Sequence, residues 1–100
     1  MSSLQMSIPH HLSQEEALKR IQTMLSEIKK EHGDMVENLQ ETWNNNQGDF
    51  SFSIKGFAVS GKLTVMPSTI ELDGKIPMAV SFFKGTIITM INKKAAELLA

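Results

Sequence analysis

The 100-residue sequence has no cysteine and no tyrosine, and it has only three prolines and one tryptophan. The absence of cysteine excludes disulfide bonds, thiol catalysis and zinc–thiolate sites. No run of about 18 apolar residues is present, as a membrane-spanning helix would need. The N-terminus also lacks the basic segment and the apolar segment of a signal peptide. We therefore expect a cytoplasmic protein without a transmembrane segment.

The sequence also has no excess of charge of one sign. Ten lysine and arginine residues nearly balance eleven aspartate and glutamate residues, so no strong field attracts nucleic acid, and we expect no nucleic-acid partner. The length and the 41% hydrophobic content predict a single domain over residues 1–100. Within it, residues 1–9 are expected to form either a loose N-terminal segment or an edge strand, where Pro9 would be tolerated.

Two stretches show the period of an α-helix. Residues 13–16, Ser-Gln-Glu-Glu, form a capping box, which predicts a helix from Gln14 to His32 that ends at Gly33. A second helix is predicted from about Val80 to Leu99. Its apolar positions cover more of the circumference than the roughly 100° stripe needed to lie on one sheet. The last helix is therefore expected to have apolar surface to spare.

Between the two helices the period changes to two, which is typical of half-buried strands. Four segments alternate in this way, and turn residues separate them. This pattern predicts an α+β fold, with a four- or five-stranded antiparallel β-meander and two helices packed on one face. The expected order is β-α-β-β-β-β-α. The alternating apolar positions are Leu39 and Trp43; Phe50, Phe52 and Ile54; Val59, Leu63 and Val65; and Ile70, Leu72 and Ile76.

The stretch GFAVSGKL, Gly56 to Leu63, matches the G-x-x-x-x-G-K part of a phosphate-binding loop. That loop needs a serine or threonine after the lysine to hold Mg²⁺, and Leu63 stands there instead. Because the two-residue alternation continues through the stretch, we interpret it as a strand. Gly56 is then a bend or bulge, and Gly61 is an inward position that a helix backbone or a bulky ring approaches closely.

No combination of side chains predicts catalysis. The three histidines, His10, His11 and His32, have no further ligands at metal-binding spacing, so we expect them at the surface. No G-x-S-x-G motif is present. An enzyme of unknown type would have only the first two of these histidines, Arg20 and Lys84 as loosely grouped candidates. We therefore expect no enzyme activity and no catalytic, cofactor or metal site.

The aromatic residues leave two interpretations open. Trp43, Phe52 and Leu63 could line a pocket for an apolar ligand, or they could be ordinary core residues. Phe82 and Phe83 are consecutive on a predicted helix and would point about 100° apart, so one of them could face water or a partner. Together with Ile88 and Leu99, at the margins of the wide apolar stripe, these two phenylalanines form a candidate interaction surface.

Four motifs together resemble one known family. They are IPHHLS ahead of a helix with ALKR, the hairpin WNNNQGDFSF, the strand GFAVSGKLTV, and FFKGTI at the start of the last helix. The sequence resembles the polyhydroxyalkanoic acid system proteins, which are small bacterial proteins encoded near polyester-granule genes, from about Ile8 to Leu98. None of these motifs carries a known catalytic residue. The resemblance implies a cytoplasmic bacterial protein associated with polyhydroxyalkanoate storage, with the granule surface or granule proteins as partners.

The first functional hypothesis is a non-enzymatic interaction protein. Its apolar C-terminal helix would form a homodimer or lie against a hydrophobic surface such as a granule. The alternative is a small-ligand binding domain that encloses an acyl chain or another apolar molecule between the sheet and the last helix.

Overall fold

The computed structural model describes residues 2–100; Met1, the first residue of the predicted N-terminal segment, lies outside the described residues. It has five strands and three α-helices, with a 3₁₀ segment (Met78–Phe83) before the last helix. The strands are β1 (Ser2–Pro9), β2 (Val36–Asn44), β3 (Gln47–Ile54), β4 (Phe57–Val65) and β5 (Thr69–Ile76). The helices are α1 (Gln14–Ile21), α2 (Met24–Glu31) and α3 (Lys84–Leu99).

All five strands belong to one sheet with the order β1-β5-β4-β3-β2, and every neighbouring pair is antiparallel. Strands β2 to β5 form the predicted meander. Strand β1 joins the far edge beside β5, with Ser2 opposite Ile76 and Pro9 opposite Thr69. The predicted α+β class and the order β-α-β-β-β-β-α are therefore confirmed.

Strand β4 contains the stretch that resembles a phosphate-binding loop. It pairs with β3 from Phe57 onward and continues through a short loop into β5, not into a helix. Lys55 and Gly56 both have positive φ, at 51° and 83°, as the two central residues of a tight β-hairpin turn require. The interpretation of this stretch as a strand is confirmed, and Gly56 provides the bend.

The core lies between the apolar face of the sheet and the helices. The alternation in each strand directs one set of side chains to this face. The buried residues of the strands are Leu4, Ile8, Val36, Phe50, Phe52, Ile54, Val59, Leu63, Val65, Ile70, Leu72 and Ile76. The helices contribute Ala17, Ile21, Met24, Leu25, Ile28, Ile87, Ile91 and Ala95 to the same cluster.

Strand β2 contains a β-bulge. The ladder passes from the pair Glu37–Ser53 to the pair Gln40–Ser51, so that Asn38 and Leu39 together oppose one residue of β3. Asn38 adopts a left-handed φ of 55°, which asparagine tolerates better than most residues. Side chains in β2 alternate between the two faces of the sheet. Because of the extra residue, this alternation is offset by one position after the bulge relative to before it.

The first helix was predicted to be continuous from Gln14 to His32, and this is wrong. It breaks at Gln22 and Thr23 into α1 and α2. The Thr23 hydroxyl donates a hydrogen bond of 2.8 Å to the carbonyl oxygen of Arg20. Such a local side-chain bond competes with the helical backbone pattern.

The start of the last helix was also predicted wrongly. The regular α-helix begins at Lys84 and not near Val80. The residues before it form the 3₁₀ segment, in which Val80 has a non-helical φ of −119°. Pro77 precedes this segment in an extended conformation.

The packing around Gly61 can be tested by substitution. A Cβ atom there would lie 2.7 Å from the carbonyl oxygen of Asp73 and 2.8 Å from Cζ of Phe50. We expect Gly61→Ala to lower the free energy of unfolding by about 1–3 kcal/mol, as other overpacked sites do. Gly85→Ala is the matched control because no atom lies within 4 Å of that Cβ position; in a helix it should raise stability by up to about 1 kcal/mol.

Urea unfolding of both variants measures these free energies. A Gly61→Ala variant as stable as the wild type would contradict the close approach of the Phe50 ring.

Candidate functional site

Two large apolar side chains of the 3₁₀ segment face solvent. Phe82 is 75% exposed and Met78 is 68% exposed. Between them, Val80 is buried in the core and its amide donates a 3.0 Å hydrogen bond to the carbonyl of Pro77. Val80 therefore anchors the segment. Met78 and Phe82, each two residues away from it in sequence, point outward.

The two consecutive phenylalanines have different environments. Phe83 is half-buried and packs against the core, whereas Phe82 lies outside. Their ring centroids are 4.4 Å apart with an interplanar angle of 34°, so the outer ring rests on the inner one. Such aromatic contacts are stabilising in their own right. The exposed ring therefore has a fixed support.

Phe57 lies at the same end of the sheet. Phe57 begins β4, and Met78 follows two residues after the end of the antiparallel neighbour β5, so both lie toward the same end of the sheet. Phe57 is 42% exposed. We call Phe57, Met78 and Phe82 the Phe82 surface. The chain carries no charged residue from Ile76 to Phe83, so the segment that carries Met78 and Phe82 is itself uncharged.

The other two residues of the expected interaction surface lie on α3. Ile88 and Leu99 are half-buried on α3. Leu99 borders a groove of about 410 Å³ beside Ile8 and Pro9 of β1. Since α3 has 16 residues and a helix rises about 1.5 Å per residue, Leu99 is far along α3 from Phe82. The structure therefore does not bring these four side chains together.

Of the three residues of the expected apolar pocket, Phe52 borders an internal cavity whose lining includes neither Trp43 nor Leu63. Phe52 and Leu63 are buried, and Trp43 is half-buried over Gly48, where a Cβ atom would lie 2.7 Å from the indole ring. The indole Nε1 donates a 3.2 Å hydrogen bond to Glu41. Phe52 borders an apolar cavity of only about 10 Å³ between the sheet and helices α2 and α3. That volume is about that of one water-sized probe.

His10 is only 5% exposed, so its prediction as a surface residue is wrong. Its Nε2 lies 3.0 Å from the carbonyl oxygen of Met66, and its Nδ1 lies 3.2 Å from the amide nitrogen of Leu12. Nε2 therefore donates and Nδ1 accepts, as in a neutral imidazole. The ring ties the start of α1 to the loop between β4 and β5. His11 is exposed and His32 is half-buried.

Arg20 caps the C-terminus of α3. Its Nη1 donates hydrogen bonds to the carbonyl oxygens of Leu98, at 3.1 Å, and Ala100, at 2.9 Å. Its Nε bonds Glu16 at 3.0 Å. Lys84 is the first residue of α3, at the opposite end of that helix. These two candidate titratable residues are therefore separated, and Arg20 has a structural role at a helix end.

A charged cluster that lies between α2 and α3 was not predicted from the sequence. Lys94 is only 7% exposed, and its ammonium donates hydrogen bonds to Glu31 and, at 2.9 Å, to Glu97. These bonds raise the pKa of Lys94 and lower that of Glu31. Lys94 therefore stays cationic and is unsuited to act as a base or nucleophile. Lys94 follows Ile91 by three residues and so shares the inner face of α3. This helical spacing could have predicted its burial from the sequence.

Among residues 2–100, no three His, Asp or Glu side chains are positioned to hold a metal ion. None of the helices described combines the length and the apolar character required to cross a bilayer.

The Lys94 cluster makes stability depend on pH. The bond from Lys94 lowers the pKa of Glu31 from its ordinary value of 4.5, so ionised Glu31 stabilises the folded protein above pH 4.5. This contribution is lost as the pH falls below 4.5 through the lower pKa of the folded state. We expect Glu31→Gln to be less stable than the wild type at pH 7, with a difference that shrinks below pH 4.5.

Thermal unfolding from pH 3 to pH 8 measures this effect. Glu37→Gln is the control, because that side chain is exposed on β2 and belongs to a different element. A Glu31→Gln destabilisation that persists unchanged at pH 3 would contradict the ion-pair explanation.

Comparison with known proteins identifies a family. The family model described as "Putative polyhydroxyalkanoic acid system protein" matches residues 4–99. No curated protein and no solved structure shows significant similarity to the chain. Because the match covers nearly the whole chain, the protein belongs to the polyhydroxyalkanoic acid system protein family.

Proposed function

We propose that this protein is a non-enzymatic, cytoplasmic protein that attaches to polyhydroxyalkanoate granules through the Phe82 surface. The observation that carries the proposal is that Phe82 is 75% exposed and that Met78, in the same 3₁₀ segment, is 68% exposed. Membership of the polyhydroxyalkanoic acid system family supports a storage polyester as the apolar material. The family description names the polymer system and leaves the molecular activity open.

The chemistry of the surface suits a polyester. Polyhydroxyalkanoates present alkyl groups and ester carbonyls, and they offer no hydrogen-bond donors along the chain. A partner of this kind is held mainly by burial of apolar side chains. Full burial of one large apolar side chain contributes about 1.5–3 kcal/mol. Phe82 and Met78 are mostly exposed in the described structure, so most of this free energy is still available for binding.

The support beneath the surface favours binding as well. Phe82 rests on Phe83, and the buried Val80 fixes the backbone of the 3₁₀ segment. A side chain that is already held in place loses less conformational entropy when it binds. The exposed ring is therefore presented in a form that can contact a flat surface with little rearrangement.

The alternative of an internal ligand site fits the geometry less well. Sites for small molecules enclose about 300–1,000 Å³, whereas the apolar cavity beside Phe52 measures about 10 Å³. An acyl chain could enter only if α2 and α3 moved apart. The hydrogen bond from Lys94 on α3 to Glu31 on α2 links these two helices, which opposes such a separation.

Sedimentation with purified poly(3-hydroxybutyrate) particles tests the proposal. We expect the wild-type protein to pellet with the particles. The double variant Met78→Ser/Phe82→Ser should bind at least about tenfold more weakly, because two apolar side chains are removed from the contact. Met66→Ser is the matched control, since Met66 is also exposed, at 40%, but lies beyond the opposite end of β4.

Failure of the wild-type protein to pellet at any protein concentration would overturn the proposal. Equal losses in the control and in the double variant would also contradict it, because binding would then follow total hydrophobicity and not the Phe82 surface.

A further inference from the structure

The two edges of the sheet differ in how they are protected. At one edge, β2 contains the bulge at Asn38 and Leu39 and carries Glu37 and Glu41. Bulges and charges of this kind prevent an edge strand from pairing with another chain. At the other edge, β1 has the sequence SSLQMSIP, without a charged residue. Its pairing with β5 runs in continuous register, without a bulge. Apart from Pro9 at its end, strand β1 is therefore the less protected edge.

The backbone groups that β1 leaves free can be identified from the register. The amide of His10 donates to the carbonyl oxygen of Ser68 at 2.9 Å, and this pair continues the β1–β5 register by one residue beyond Pro9. In an antiparallel ladder, hydrogen-bonded pairs alternate along the strand. The even-numbered residues of β1 therefore bond to β5, and the odd-numbered residues direct their backbone groups to the free edge.

Pro9 fits this assignment. It belongs to the odd-numbered set, so its missing N–H costs no hydrogen bond within the sheet. The remaining outward residues are Ser3, Gln5 and Ser7, each with an N–H and a carbonyl group toward the free edge. They form a symmetric set with Gln5 at the centre.

We propose that β1 is a homodimerisation edge, which pairs antiparallel with β1 of a second copy about a two-fold axis at Gln5. In this register Gln5 pairs with the partner's Gln5, Ser3 with the partner's Ser7, and Ser7 with the partner's Ser3. Each pair exchanges two backbone hydrogen bonds, which gives roughly six across the interface. An isologous contact of this kind closes after two copies and does not continue into a fibre.

The side chains at this edge are compatible with the pairing. On the polar face, the paired residues are glutamine and serine, so no like charges meet across the axis. On the apolar face, Leu4 comes opposite the partner's Met6. Met6 is only partly buried in the single chain, at the margin of the core, and the partner would cover it. The edge is thus complementary to itself on both faces.

Helix α3 contacts β1, and Asn92, Ala96 and Leu99 of this helix border the groove between them. The two-fold axis lies perpendicular to the sheet, so the dimer has one continuous sheet of about ten strands with the helices of both copies on the same side. The α3 helices of the two copies then flank the shared edge.

Sedimentation equilibrium over roughly 5–500 µM protein tests the dimer without granules. We expect the wild-type mass to rise from 11.1 kDa towards twice that value. Gln5→Pro removes an outward N–H that β5 does not use, and it should leave a monomer at every concentration. Gln5→Lys places two lysines side by side at the axis and should weaken the dimer at least about tenfold. Gln40→Lys makes the same change on exposed β2 and should leave the dimer intact.

Amide hydrogen exchange provides a second measurement. The amides of Ser3, Gln5 and Ser7 should become protected as the protein concentration rises, whereas those of β4 should be protected at all concentrations and in both Gln5 variants. A wild-type monomer at 500 µM would overturn the proposal, as would a dimer that Gln5→Pro and Gln5→Lys leave unchanged. Neither result would affect the assignment of the Phe82 surface, because that assignment does not depend on β1.

Discussion

The burial of one apolar sheet face determines the arrangement of the rest of the chain. Alternation in the strands gives the sheet a single apolar face, and α1, α2 and α3 together cover it. Side chains from the sheet and the helices fill most of the space between them, and the apolar cavity beside Phe52 measures about 10 Å³. This constraint favours an external contact over an enclosed ligand site.

Two parts of that outer surface differ from ordinary solvated surface. The Phe82 surface is apolar and has a rigid support, while the β1 edge offers unpaired backbone groups without charge. They can act together, because a dimer formed through β1 would carry two Phe82 surfaces. Two linked contacts on one granule bind more strongly than either alone, provided that both can reach the polymer at once. A weak single contact could then hold the protein on a granule.

The sequence predicted the strands and the fold class because alternation and turn chemistry are local signals. It also identified Phe82 as part of a candidate surface, although a helical pattern could not decide which of the two phenylalanines faces outward. The errors have local or tertiary causes. The Thr23 hydroxyl interrupts the first helix, although the spacing of apolar residues stays helical across the break. The burial of His10 depends on Met66, which is distant in sequence. Lys94 is held on an apolar helix face by Glu31, which sequence spacing alone does not bring to it.

Methyl NMR of the protein with poly(3-hydroxybutyrate) oligomers tests the central claim most directly, because it locates contact on the surface or in the core. The account predicts that the Met78 methyl signal shifts on titration, with further changes at the Phe82 ring, while the methyl groups of Ile87 and Met90 beside the internal cavity stay unchanged. Shifts at Ile87 and Met90 with an unperturbed Met78 would show that the ligand enters the core and would contradict the account.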